Sequence, residues 1–282
     1  MTAFVLKIIA SISMLLDHSY VVFPFSLPFI FFRYIGRIAF PVYAYMIAQG
    51  CKHSGDIRKY LLRLGIFAII SEVPFDLAFR NEISFISDTN IFYTLFLGTA
   101  CIAVYQKITG RPSALTPNTE PENEQENKQE PGQKTFLKGK LPRLALSIIL
   151  MVPIALLGNL LGTDYGTVGV IFILVFYFTK PEKRLTRTIA ATCLVFYLYG
   201  YPYVLTSVLS AIRGAGTEGF LNDIIMSVPK IILNYFLFAL FSVLLIFLYN
   251  GKPGPRYKWA FYVFYPAHLV VLVMIKYISG QA

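Results

Sequence analysis

Apolar segments about twenty residues long recur along this chain with almost no charge inside them, and this confines its fold more than any other feature. A membrane-crossing helix needs roughly 20 consecutive apolar residues, whereas a barrel strand shows short alternating segments. The continuous runs fall near 3–23, 27–49, 60–80, 90–109, 142–161, 165–180, 187–209, 226–249 and 259–279. Nine spans would use roughly 180 residues, and the chain has 282. Charged residues make up only 14%, against roughly 25% in soluble domains. Hydrophobic residues reach 56% and the mean hydropathy is +0.61. That excludes global disorder, which requires low hydrophobicity. Three cysteines, Cys51, Cys101 and Cys193, form neither a disulfide scaffold nor a metal spacing. Asp17 and His18 interrupt the first run, and no small-residue cleavage site follows, so it does not read as a signal peptide. The expected fold is all-α: a polytopic transmembrane helix bundle of about nine spans.

The net charge of +10 has a bland origin. Basic residues gather in alternate connections: Lys52, Arg58 and Lys59; Lys180, Lys183, Arg184 and Arg187; Lys252, Arg256 and Lys258. The intervening connections are poor in them. Cytoplasmic loops carry the Lys/Arg excess, so the pattern places the N-terminus inside and points to lipid rather than nucleic acid as partner. Residues 110–141 differ from the rest, with Glu120, Glu122, Glu124, Glu126 and Glu130 and few apolar residues. They read as a long disordered cytoplasmic loop. It divides the chain into 1–109, with four helices and most candidate site residues, and 142–282, with the remaining helices.

An ionisable group inside a membrane helix costs at least about 2.5–3.5 kcal/mol, so each one is a functional candidate. Asp17 and His18 lie two-thirds along the first helix, close enough to its end that snorkelling is the competing explanation. Arg33 and Arg37 are four apart and share a face. They need carboxylates, a phosphate or water nearby, and a structural salt bridge to Asp17, Glu72 or Asp76 competes with a catalytic role. Glu72 and Asp76 are likewise four apart, with Pro74 between them. Asn90, Tyr93 and Thr94 open the fourth helix, and Asp164 and Tyr165 sit in an outward connection. His268 stands near mid-span in the last helix, two residues after Pro266. Pro41, Pro74 and Pro266 each lie beside ionisable residues, and irregular helix survives at membrane depth where it lines a cavity. A polar cavity near the outer face follows. No four-ligand metal site is evident, and no metal is expected.

Six segments carry a family resemblance: LLDH (15–18), RYIGRIAFPVYAYMIAQG (33–50), KYLLRLGIFAIISEVPFDLAF (59–79), NIFYTL (90–95), DYGTVGV (164–170) and FYVFYPAHL (261–269). Together they resemble the TraX family across nearly the whole chain outside the acidic loop. The resemblance implies a multispanning acyltransferase of the bacterial plasma (inner) membrane. Its donor would be acetyl-CoA. Its acceptor would be the N-terminus of a pilin-like or other exported protein, or a cell-surface glycan. Arg58, Lys59, Arg63, Lys183, Arg184 and Arg187 would hold the donor's phosphates. Asn90, Tyr93, Asp164 and Tyr165 would contact the acceptor.

In this chemistry an amine or hydroxyl attacks a thioester and needs a base. His18 is the first candidate, oriented by Asp17 or Glu72, and His268 the second. Arg33 or Arg37 would stabilise the oxyanion. Direct transfer and an acetyl-histidine relay both remain open. Two other classes compete. A secondary transporter also has broken helices and midplane charges, and a non-catalytic assembly partner of a pilus or conjugation system needs no chemistry.

Overall fold

A computed structural model describes residues 1–23, 30–84, 88–110, 139–179, 238–255 and 257–280. The described residues are helical, with no strand among them. The helices are α1 (Ala3–Val22), α2 (Phe31–Gly36), α3 (Ala39–His53), α4 (Ile57–Phe79), α5 (Ile91–Thr109), α6 (Lys140–Leu160), α7 (Gly166–Phe178), α8 (Phe238–Phe247) and α9 (Lys258–Ile278). Helices α1, α5 and α6, together with Trp259–Ile278 of α9, are long and apolar enough to cross a membrane. The expected helix at 187–209, the start of that at 226–249 and nearly all of the acidic loop lie outside the described residues.

Helix α3 is the hub. Its buried residues include Phe40, Val42, Ala44, Tyr45, Ala48 and Cys51, and it packs on α1, α5, α7 and α8. The small residues Ala39, Ala44 and Ala48 allow that close approach, since apolar packing alone gives little drive to associate in lipid. Large aliphatics face outward instead: Ile148, Ile149 and Leu160 on α6, Val270 and Met274 on α9. An outer surface of this kind suits a hydrocarbon solvent, provided backbone groups are satisfied internally. Serine and threonine hydroxyls inside the helices return to carbonyls one turn back, as Ser13 does to Ile9 at 2.9 Å and Thr99 to Leu95 at 2.8 Å.

One expected helix is in fact two. The run 27–49 breaks between Gly36 and Ala39. Pro41 has no N–H for the Arg37 carbonyl. The amides of Arg37 and Ile38 turn to Tyr34 and Ile35, at 3.1 and 3.0 Å, in a tighter turn. Gly36 is required there, because a Cβ would overlap the Asp17 side chain. The break therefore seats the end of α2 directly on α1.

The N-terminal residues are stapled to the turn between α8 and α9. The amides of Ala3 and Phe4 donate to Lys252 and Pro253, at 2.9 and 3.1 Å. Asp56 caps α4 through the amides of Arg58 and Lys59 at 3.0 and 3.1 Å. These contacts place Lys7, His53, Arg63 and the 249–255 turn at one end of the bundle. His18, Arg33, Phe79 and Asp164 lie at the other.

Candidate functional site

At that second end a cavity of ≈ 210 Å³ is lined by Asp17, His18, Arg33, Arg37, Asp164 and Tyr165, with Phe40, Tyr43 and Tyr265 among its walls. Its chemistry begins with Asp17, on the face of α1 turned to α2. Arg33 Nη1 donates to both Asp17 oxygens at 3.0 and 3.1 Å, and Arg37 Nη2 to both at 3.2 Å. Arg37 Nε also donates to the Arg33 carbonyl at 3.3 Å. Two guanidiniums thus share one carboxylate, and the trio carries a formal charge of +1. The Arg33 side chain is 41% exposed, so it reaches the open side, while that of Arg37 is 16% exposed. The sequence left three carboxylates as partners for these arginines, and Asp17 is the one that pairs with them.

The two histidines meet. His18 Nδ1 lies 2.8 Å from His268 Nε2, with the rings stacked at 5.0 Å. His268 Nδ1 lies 2.9 Å from the Phe264 carbonyl. A carbonyl only accepts, so His268 Nδ1 carries the proton and its Nε2 is a lone pair. That lone pair accepts from His18 Nδ1–H. In the neutral pair, His18 Nε2 is then left unprotonated. His18 lines the cavity, whereas His268 is buried behind it at 6% exposure. The partner that orients His18 is therefore His268, rather than Asp17 or Glu72.

Glu72 and Asp76 lie outside this cavity and are fully buried. Glu72 Oε2 accepts the Asn90 amide at 3.2 Å and also the Asn90 side chain. Asn90 in turn donates to the Ala68 carbonyl at 2.8 Å and caps α5 by accepting from Phe92 N at 2.9 Å. Asp76 Oδ2 accepts the Ser84 amide at 2.6 Å, and Asp76 Oδ1 pairs with Arg80 at 3.6 Å. These residues tie α4 to the turn and helix that follow. Tyr93 packs against the core and lines none of the cavities described here.

Asp164 and Tyr165 form the outer lip. Tyr165 stacks on Phe40 at 3.6 Å, nearly parallel. Protein crowding around Asp164 pushes its carboxyl up from 3.8 to about 6, against the pull of Arg37. Its side chain still stands open to the surface, so water offsets part of that effect.

The remaining candidates disperse. Arg58 lines a shallow groove with Lys107 and Gly110, Lys59 pairs with Asp56 at 3.7 Å, and Arg63 lines a separate cavity. Lys183, Arg184 and Arg187 lie outside the described residues. Sequence reasoning missed Tyr43 and Tyr265. Each is a phenol inside an apolar helix, and Tyr265 directly precedes Pro266, which was the available signal. Among the described residues no three His, Cys, Asp or Glu side chains gather as a metal site.

No solved structure matches the chain. A protein of Dichelobacter nodosus named "Probable fimbrial assembly protein FimC, serogroup H1" is 27% identical over 287 residues, covering 98% of this chain and 96% of that protein. The family profile described as TraX protein matches residues 3–276, nearly the full length. On that match the chain is a membrane protein of the TraX family.

Proposed function

We propose that this protein is a pilus-related acetyltransferase of the bacterial inner membrane, with its N-terminus in the cytoplasm. It moves an acetyl group from acetyl-CoA to an amine, the N-terminus of a pilin-like or other exported protein. A hydroxyl of a surface glycan is the other acceptor class. The observation that carries this reading is the free Nε2 of His18, held by His268 and the Phe264 carbonyl and set in one cavity with two arginines.

The acceptor nitrogen attacks the thioester carbonyl while His18 Nε2 takes its proton. The carbonyl oxygen becomes an oxyanion facing Arg33 and Arg37, whose shared carboxylate leaves them net positive. Collapse breaks the C–S bond, and the proton held by His18 passes to the leaving thiolate. The products are an amide and a free thiol. Because His268 accepts from Nδ1–H, the imidazolium formed at His18 is stabilised during the transfer. The same lone pair could instead attack the thioester first, forming an acetyl-histidine, and ping-pong kinetics distinguish that route.

The test is transfer of label from radioactive acetyl-CoA to a pilin-type peptide by the purified full chain in nanodiscs. The expected outcome is labelled amide with one free thiol released per acetyl. Absence of label in the peptide, with the protein folded and the peptide's N-terminus free, overturns the amine acceptor, and absence of label in a surface glycan as well overturns the transferase reading. The name of the Dichelobacter nodosus relative favours a second reading, a non-catalytic assembly partner. Restoration of pilus assembly in a deletion strain by His18→Ala as fully as by the wild type supports that alternative.

A further inference from the structure

The cavity that holds His18 has two unlike walls. Asp17 and His18 are neighbours on α1, and successive helical residues point about 100° apart. Asp17 turns to α2, where Arg33 and Arg37 hold it. His18 turns to α9, where its ring stacks on His268 at 5.0 Å and meets the edge of Tyr265 at 6.0 Å. The guanidiniums therefore stand on the α2 side. Tyr265 stands on the α9 side, three residues before His268 and on the same helix face.

Among the described residues three phenols line this cavity, and they are not equivalent. The Tyr43 hydroxyl is engaged by Ser11 Oγ at 2.6 Å, and Tyr165 lies stacked on Phe40 at the lip. Tyr265 is 3% exposed, with its ring set at a right angle to Phe92 at 5.2 Å. A phenol buried this far ordinarily finds a partner for its hydroxyl. Its oxygen faces the Ile91 amide, at the start of α5. That amide is one of the first-turn donors a helix cannot pair internally. The next two, of Phe92 and Tyr93, are already taken by Asn90. An amide only donates, so the phenol oxygen accepts and its own hydrogen points elsewhere. No acceptor among the described residues takes that hydrogen. It is left for whatever enters the cavity.

We propose that Tyr265 is a further catalytic residue: its hydroxyl gives the leaving sulfur a proton as the thioester collapses. The inference rests on the acetyltransferase reading and gives its last proton transfer a route. A tetrahedral intermediate sends four substituents in four directions. The nitrogen lies toward His18 Nε2, which has taken its proton, and the oxyanion lies toward the guanidiniums. Of the remaining two, the methyl group has no use for a donor. The sulfur departs with the electron pair of the C–S bond and takes up a proton. The Tyr265 O–H proton moves to sulfur, and the phenolate left behind takes the proton that His18 Nε2 had removed from the acceptor. Thiol, phenol and neutral imidazole result. An ordinary phenol, near about 10, is a weaker acid than an ordinary thiol, near about 8.5, so the step depends on the return of a proton from imidazolium, near about 6.5. The partial positive charge at the start of α5 steadies the passing phenolate.

The test is Tyr265→Phe in the full chain in nanodiscs, which keeps the ring against His18, His268 and Phe92 and removes the hydroxyl alone. With acetyl-CoA, kcat should fall about 30-fold, below the usual worth of a general acid because a thiolate leaves readily. The acceptor KM should stay within about twofold, and the unfolding midpoint within about 2 °C. The second donor is the acetyl thioester of an aromatic thiol, whose thiolate needs no proton to leave. With it the variant should match the wild type within about twofold, a recovery that a displaced His18 or a loosened bundle would not show. A deficit of the same size with both donors means that the hydroxyl serves the oxyanion or the packing, and overturns the assignment. Full activity of the variant with acetyl-CoA also overturns it, while the transferase reading stands. If the wild type acetylates neither peptide nor glycan, the transferase reading fails with it.

Discussion

Two groups of polar and ionisable side chains sit at the same end of this bundle, built in opposite ways. Asp17, Arg33 and Arg37 face a cavity with His18, and the Arg33 side chain is 41% exposed. Glu72, Asp76 and Asn90 are fully closed off and are spent on backbone amides, a carbonyl and a helix cap. Both groups carry the cost of charge among apolar helices. One returns it as a solvated, charge-biased surface where a reaction can occur. The other returns it as connectivity between α4 and α5. Ionised residues at membrane depth therefore do not by themselves mark a site; the empty volume beside them does.

The largest expected effect tests the open group. His18→Ala should lower acetyl transfer at least about 100-fold, the ordinary worth of a general base. The unfolding midpoint should barely move, because His18 is only partly buried and donates to one neighbour. Near-normal turnover with full membrane insertion would remove His18 from the mechanism. Asn90→Ala, in the closed group, should do the reverse. It removes a cap, and it leaves Glu72 Oε2 with a single donor in place of two. A stability loss of about 1–3 kcal/mol follows, while transfer per folded molecule stays within about twofold. Circular dichroism melts alongside rate measurements check both. If the two variants show the same pattern, the division into open and closed groups is wrong.

The sequence made these two groups look alike. Arg33 with Arg37 and Glu72 with Asp76 have the same i, i+4 spacing, and each pair adjoins a proline, Pro41 or Pro74. Periodicity says which side chains share a helix face, but not which face meets a void. Asp17 was recognised as one of three possible partners for the arginines, and choosing it needed the break at Gly36 that sets α2 against α1. The helices themselves were legible, because twenty-residue apolar runs have few other solutions. Among the described residues the run at 27–49 misled, since Pro41 signals a break without saying where the turn tightens. The His18–His268 pair was out of reach of spacing, being 250 residues apart in the chain. Both residues were still candidates on chemical grounds, as histidines inside apolar helices.

A smaller effect sharpens the comparison within the open group. Arg37→Lys keeps the charge but loses the guanidinium that joins Asp17, through Nη2, to the Arg33 carbonyl, through Nε. Transfer should fall about tenfold, less than the 10²–10³ that deleting an oxyanion donor outright costs. The acceptor KM should change little, because the oxyanion exists only after attack. A fall confined to KM would move Arg37 from the reacting centre to acceptor binding.

The smallest effect concerns the lip of the cavity, where pH gives the open group a signature. Crowding holds the folded Asp164 carboxyl at about 6, above its ordinary 3.8. Below pH 3.8 the carboxyl is neutral in both folded and unfolded chains and costs nothing. Between 3.8 and about 6 the unfolded chain ionises first, so folded stability falls as pH rises, and above about 6 the penalty is constant. Asp164→Asn cannot ionise and escapes the penalty. Its unfolding midpoint should match the wild type near pH 4 and exceed it above pH 6. The gain should be only about 1–3 °C, because the side chain is open to water. A difference between the two proteins that is the same at both pH values would mean Asp164 titrates as any exposed carboxyl does, and that the lip is too wet to distinguish the open group by its proton binding.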